Sequence, residues 1–225
     1  MAIKRKKSDK LLYAVVGLGR FGFALAEELA GKGCDVLAID RDRSMVDAAS
    51  DFTDNAFVVD EMTRENLEAT GISDADVAVI CIGDKVDVSI LTTLTVIRLG
   101  VPKVIAKATS REQGEVLNLL GAEVVYPERD MALRLAGKLI SPNILEYISL
   151  NDEIDIMEIK LSEKVEGKTV IELNLRSRYG LNIIARRHGD VLSTDILPNM
   201  VLHAADSITV IGKTDSIHKF EEDIQ

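Results

Sequence analysis

The chain has 225 residues, of which 47% are hydrophobic and 28% charged, and its mean hydropathy is +0.11. That composition supports the core of one large domain, or of an ordinary domain with a small one beside it, and excludes a disordered chain. The formal net charge of -10 excludes a general attraction for nucleic acid or anionic lipid, so no nucleic-acid partner is expected.

The chain opens on a polar tail over residues 1–10, whose run Lys4-Arg5-Lys6-Lys7 reads as solvated. Residues 11–16 are a continuous apolar run ending in glycine, as a buried parallel strand should. The turn Gly17-Leu18-Gly19-Arg20-Phe21-Gly22 follows. Residues 20–30 then read as a helix, with Phe21, Leu25 and Leu29 on one face and Gly31 and Gly33 ending it. A second strand over 36–40 ends on Asp40. The alternation continues with helices over 44–50, 64–70, 87–99 and 111–120 and strands over 56–59, 77–82, 104–107 and 123–126. Six strands alternating with helices predict a Rossmann-type, doubly wound parallel sheet over 11–137, with a ligand crevice at the carboxyl ends of its strands.

Residues 130–140 read as a helix through Met131, Leu133, Leu135, Ala136 and Leu139. Ser141-Pro142 interrupts it, and 143–150 reads as a second short helix, so 138–150 is expected to be a helical connector. The pattern then changes. A strand over 154–161, helical turns over 169–173, a strand over 181–185, a hairpin turn at His188-Gly189-Asp190, a strand over 206–212 and a helix over 215–223 predict a small α+β domain over 151–225. No apolar run approaches the roughly 18 residues that span a bilayer. The polar N-terminus has no apolar signal core. Cys34 and Cys81 lie far apart without a CxxC spacing, which suits a reducing, cytosolic compartment.

The glycine turn lies between a strand and a helix, which is what gives a GxGxxG pattern its meaning. Gly17 permits the tight turn, Gly19 the approach of a phosphate to the backbone, and Gly22 close helix–sheet packing. The amides at the helix start then face an anion. Asp40 can accept both hydroxyls of a ribose and would repel a 2'-phosphate, an exclusion that Arg41 and Arg43 soften but do not reverse. Arg20 follows the second glycine at the phosphate mouth, where a guanidinium can grip a terminal β- or γ-phosphate, or one bound by a neighbouring subunit. The helix dipole disfavours a cation there, so its placement points to a ligand rather than to a surface arginine.

Hydride transfer needs a substrate pocket and a proton donor. His188, His203 and His218 all fall in the small C-terminal domain, and no nucleophilic triad or metal-ligand spacing is present in the sequence. A Lys or Tyr can serve as the acid, and Lys107, at a strand end, is placed to do so. Binding and switching without catalysis are expected; a small NAD-dependent oxidoreductase or an NADH-sensing regulator is the alternative.

Gly17 to Gly22 with Asp40, Thr92-Thr93-Leu94, Lys107-Ala108 and Tyr126-Pro127-Glu128-Arg129-Asp130-Met131 resemble the RCK (regulator of conductance of potassium) family of Ktr/Trk-type potassium uptake systems. Ile171-Glu172-Leu173-Asn174-Leu175-Arg176, then Tyr179-Gly180, resemble the start of that family's C-terminal subdomain. The resemblance implies homo-dimers assembled into an octameric ring. It places the ring in the cytoplasm, against the inner face of the membrane, under a potassium-translocating subunit of the KtrB or TrkH type. It implies ATP and ADP, and less tightly NAD or NADH, as ligands of the N-terminal domain, their exchange switching the ring and the pore. It assigns Arg20 to a phosphate and Asp40 to the ribose, with Phe21, Arg41 and Asp42 beside them. Asp60, Glu61, Ile82, Gly83 and Asp84 fall near the base, and Lys107, Ala108 and Thr109 on the other side. Glu128 would hold Mg2+, Ca2+ or Na+ beside the phosphates. Asp60-Glu61 departs from the family pattern, which has a small or amide residue there, and adds negative charge near the ligand. The resemblance also implies cyclic di-AMP in the C-terminal subdomain, with Arg176 on a phosphate and Ile171, Asn182, Ile183, Ile184 and Pro198 framing the base; the plainer reading makes the isoleucines inward-facing core.

Overall fold

The computed structural model describes residues 10–141, 143–151 and 153–225; the basic run Lys4-Arg5-Lys6-Lys7 and Pro142 lie outside them. Strand β1 (Leu12–Val16) is buried along Ala14, Val15 and Val16, because a central parallel strand is covered on both faces. After it come α1 (Arg20–Gly31), β2 (Asp35–Asp40), α2 (Arg43–Ala49), β3 (Asn55–Val58), α3 (Arg64–Ala69), β4 (Val77–Ile80), α4 (Val86–Arg98), β5 (Lys103–Lys107), α5 (Arg111–Leu119) and β6 (Glu123–Val125). The strands form one parallel sheet in the order β3-β2-β1-β4-β5-β6. This is the expected doubly wound fold. Its order reverses between β1 and β4, where Val16 pairs with Ile39 on one side and Ile80 on the other, so the crevice opens there.

Helices cover both faces of the sheet. Ile39, Leu67, Ile72, Ile80 and Leu117 pack on one side. Val15, Leu18, Ala26, Val46 and Val79 pack on the other. Short polar side chains start the helices as their chemistry favours: Thr63 accepts the Asn66 amide before α3, and Ser110 the Gln113 amide before α5.

The chain divides after Glu128 into two compact units. Helix α6 (Pro127–Ile140) runs through the division. The second unit holds β7 (Ile144–Ser149), β8 (Ile154–Lys160), α7 (Val170–Leu173), α8 (Leu175–Tyr179), β9 (Asn182–His188), β10 (Val191–Ser193), β11 (Ser207–Lys213) and α9 (Thr214–Ile224). Its five strands form an antiparallel sheet in the order β10-β9-β11-β8-β7, over a core of Met157, Ile159, Leu181, Leu202, Ile208 and Phe220.

One expectation is corrected. Residues 143–150 do not form a second short helix, so 138–150 is not a helical connector. Ile144–Ser149 is strand β7, pairing antiparallel with β8 through Tyr147↔Met157 and Ile148↔Ile156. Leu145 and Glu146 are good helix formers, but Ile144, Tyr147 and Ile148 fit a pleated surface. The register shift between Ile144 and Glu146 also blurs the two-residue alternation that marks a strand.

Candidate functional site

The glycine turn is fixed by contacts that only glycine allows. Gly17 has φ of +95°, and a Cβ there would lie 3.0 Å from the backbone of Cys81 and Ile82, on the neighbouring strand end. At Gly22 a Cβ would fall on the Gly17 carbonyl oxygen. Gly19, the N-cap of α1, is the opposite case: the space beside it is open, and no side chain caps the helix. The first amides of α1 therefore face an opening in which an anion can accept them.

Asp40, at the carboxyl end of β2, binds this turn. Its Oδ2 accepts the Leu18 amide, and its Oδ1 accepts the Asp42 amide at 2.8 Å. Each oxygen keeps acceptor capacity, so the carboxylate braces the turn and remains able to take a hydroxyl. Asp42 is different. It caps α2, accepting the Ser44 hydroxyl at 2.7 Å and amide at 2.9 Å, and those hydrogen bonds hold its carboxyl below the usual range. Arg41 is exposed beside it.

A second group gathers at the ends of β4, β5 and β6. Lys107, a buried lysine at the end of β5, places Nζ 2.5 Å from Glu128 Oε1 and 6.0 Å from the centre of the Phe21 ring. A Cβ at Gly83 would stand 3.5 Å from the same Nζ. The Lys107 hydrogen bond, with the charges of Lys107 and Arg20, outweighs burial and holds the Glu128 carboxyl below its ordinary range. Arg20, Phe21, Gly83, Lys107 and Glu128 thus share one neighbourhood. Ala108 is buried and donates its amide to the Val125 carbonyl at 2.9 Å. Thr109 gives both its amide and hydroxyl to Gln113 Oε1, at 2.8 and 3.0 Å. Burial pushes the Cys81 thiol up to about 12, so this wall of the turn is chemically inert.

Ile82 is half-buried and Asp84 exposed at the end of β4, while Asp60 and Glu61 are exposed past β3. The Glu61 carbonyl accepts the Thr63 amide and the Asn66 side chain, which shapes the turn but leaves its carboxylate outside. Among the described residues no three His, Cys, Asp or Glu side chains converge as metal ligands. Glu128 is a single carboxylate already answered by Lys107. Within one chain the donors therefore do not fit a Mg2+, Ca2+ or Na+ site. The Lys107–Glu128 pairing, the Leu18 amide and Gln113 were not anticipated. Opposite charges at the carboxyl ends of neighbouring strands were the available signal for the first.

In the second unit, the Ile171 amide donates to the Pro198 carbonyl at 2.9 Å, which brings those two residues together. The isoleucines do not all face inward. Ile171 is 66% exposed, Ile183 packs on the core, and Ile184 is 39% exposed. Ile184 sits at the register shift between β9 and β11, where a bulge turns a side chain outward. Asn182 and Arg176 are exposed.

Residues 13–127 match the TrkA-N domain and residues 156–225 the TrkA-C domain. The chain is 35% identical over 211 residues to the Ktr system potassium uptake protein C of Bacillus subtilis (strain 168), covering 93% of this chain and 96% of that one. It is 34% identical over 213 residues to the Ktr system potassium uptake protein A of Vibrio alginolyticus, covering 94% and 96%. The crystal structure of the GsuK RCK domain superposes with a TM-score of 0.51 at 22% identity, over 98% of this chain and 48% of that one, and shows the same fold. A parallel sheet built around a glycine turn, followed by a small antiparallel unit, is therefore the RCK arrangement, and the chain belongs to the TrkA-N/TrkA-C family of Ktr-type potassium uptake regulatory subunits.

Proposed function

We propose that this chain senses adenine nucleotides and gates a membrane potassium-translocating subunit of the KtrB or TrkH type. The observation that carries the reading is the meeting of Arg20, Lys107 and Glu128 beside an uncapped helix start, with Asp40 braced across the turn. The Gly17–Gly22 backbone would hold the phosphates and Asp40 the ribose. Arg20 would grip the terminal phosphate, which ATP offers and ADP lacks. That differential contact is what a population shift requires. No chemistry on the nucleotide is needed.

Lys107 gives Glu128 its counter-charge in the single chain. A cation at Glu128 would need phosphate oxygens and a second copy's carboxylate to complete its shell, and no part of the switch is routed through it here. Self-association has its own support. No residue of α6 is buried, and Met131, Leu133, Leu135, Leu139 and Ile140 are all more than half exposed. Leu119 of α5 is 87% exposed. Apolar side chains this bare would be covered by another copy in dimers joined into an octameric ring. Among the described residues no helix is long and apolar enough to cross a membrane, which accords with docking to the membrane's inner face through a partner. In the second unit, exposed Arg176, Asn182, Ile184 and the Ile171–Pro198 pair would take cyclic di-AMP.

A thermal-shift panel with ATP, ADP, NADH, NADPH and cyclic di-AMP tests this, because a ligand that binds only the folded state raises the midpoint. ATP and ADP should shift it by different amounts and NADPH least. NADH as the tightest ligand, with ATP inactive, would favour an oxidoreductase.

A further inference from the structure

The second unit contains two histidines that the nucleotide switch does not use. His188, at the end of β9, points Nδ1 at Asp206 Oδ1, 2.6 Å away. His203, in the segment before β11, points Nδ1 at Glu166 Oε1, 2.8 Å away. A carboxylate can only accept, so each Nδ1 donates, and in the neutral imidazole that leaves Nε2 as the nitrogen with the lone pair. Neither Nε2 has a hydrogen-bond partner among the described residues. The two ring centres are 5.8 Å apart.

The rings are held from behind by a built network. Asp206 is fully buried. Besides His188, it accepts Arg186 Nε at 2.7 Å and the backbone amide of His203 at 2.9 Å. One carboxylate thus fixes the ring of His188 and the backbone of His203. Glu166 accepts the Ala204 amide at 2.6 Å as well as the His203 ring, which fixes that side chain too. Arg186 Nη2 lies 3.4 Å from His188 Nδ1, but its charge is answered by Asp206. With neutral imidazoles, the charges of Asp206, Glu166 and Arg186 sum to one negative charge.

An imidazole whose Nδ1–H is fastened to a carboxylate and whose Nε2 is free is the usual form of a metal-ligating histidine. A zinc ion sits about 2 Å from each ligating nitrogen, hence roughly 3 Å from each ring centre, so the 5.8 Å ring separation matches one ion held between the rings once both Nε2 atoms turn to it. We propose that His188 and His203 form a two-imidazole site for a borderline divalent transition metal such as Zn2+, Cu2+ or Ni2+, with water completing the shell. Imidazole donors disfavour Mg2+ and Ca2+, which seek oxygen. Such an ion would tie the end of β9 to the segment that leads into β11. The site lies wholly in the second unit and does not depend on nucleotide binding.

Calorimetric titration of the full chain with Zn2+, without nucleotide, should find one ion per chain. His188→Ala and His203→Ala should each lower the affinity at least tenfold. Glu166→Gln should lower it about tenfold by loosening its histidine, and His218→Ala should leave it unchanged. Far-ultraviolet circular dichroism checks that each variant folds. Cu2+ bound to the unaltered protein should show two imidazole nitrogens in its electron paramagnetic resonance spectrum, a readout that needs no variant. Absence of Zn2+ binding, binding retained in both histidine variants, or a Cu2+ spectrum with fewer than two imidazole nitrogens would overturn the proposal.

Discussion

Arg20 stands at the first position of α1, where the dipole repels it, and its charge is felt by Glu128 at the start of α6. A bound terminal phosphate would supply the negative charge that this position lacks. A charge-assisted hydrogen bond contributes about 1.5–3 kcal/mol, so Arg20→Ala should weaken ATP binding roughly 10- to 100-fold while sparing AMP, as read by equilibrium binding of each nucleotide. Lys107→Met should act on both ATP and ADP, because it removes the ammonium that answers Glu128 and faces Phe21. The turn and Asp40 were legible in the sequence because their meaning depends on spacing within one β-turn-α-β segment. The Lys107–Glu128 pair was not, since the two residues are joined only through the crossover between strands.

At the scale of elements, Gly22 couples the turn to the sheet. Gly22→Ala should push α1 off β1, costing at least the 1–3 kcal/mol typical of overpacking, and a lowered thermal midpoint together with lost nucleotide binding would show it. In the antiparallel sheet the charged groups decide the response to acid. Burial raises the Asp206 carboxyl, but the bonds from Arg186, His188 and the His203 amide outweigh it and hold it below its usual 3.8. Burial likewise opposes, and Arg187 and Ser207 outweigh it at, Glu158. A carboxylate with a depressed folded-state value stabilises the fold fully above its unfolded value and loses that contribution as pH falls through the folded one. The second unit should therefore weaken below about pH 4. Asp206→Ala should cost about 3–5 kcal/mol at neutral pH, because it strands Arg186, and should flatten that acid slope in urea titrations. The parallel sheet was readable from uniform apolar runs closed by glycine. Strand β7 was not, because its identity comes from pairing with β8 and not from its own helix-tolerant Leu145-Glu146.

At the scale of the whole molecule, the bare apolar side chains of α6 and Leu119 of α5 support the proposal that copies of the chain associate. Leu135→Glu with Leu139→Glu should shift the protein to smaller species in sedimentation without unfolding it, since neither side chain is buried within the chain. A ring would serve the proposed switch because a ligand shifts an assembly only by its differential affinity for the two states, and many sites add their differences. The measurement that tests this most directly is calorimetric titration of ATP and of ADP into the unaltered protein and into Arg20→Ala. The unaltered protein should prefer ATP about tenfold or more, a difference of about 1.4 kcal/mol, and Arg20→Ala should abolish the preference. Equal affinities in the unaltered protein, or a preference that survives the substitution, would contradict it.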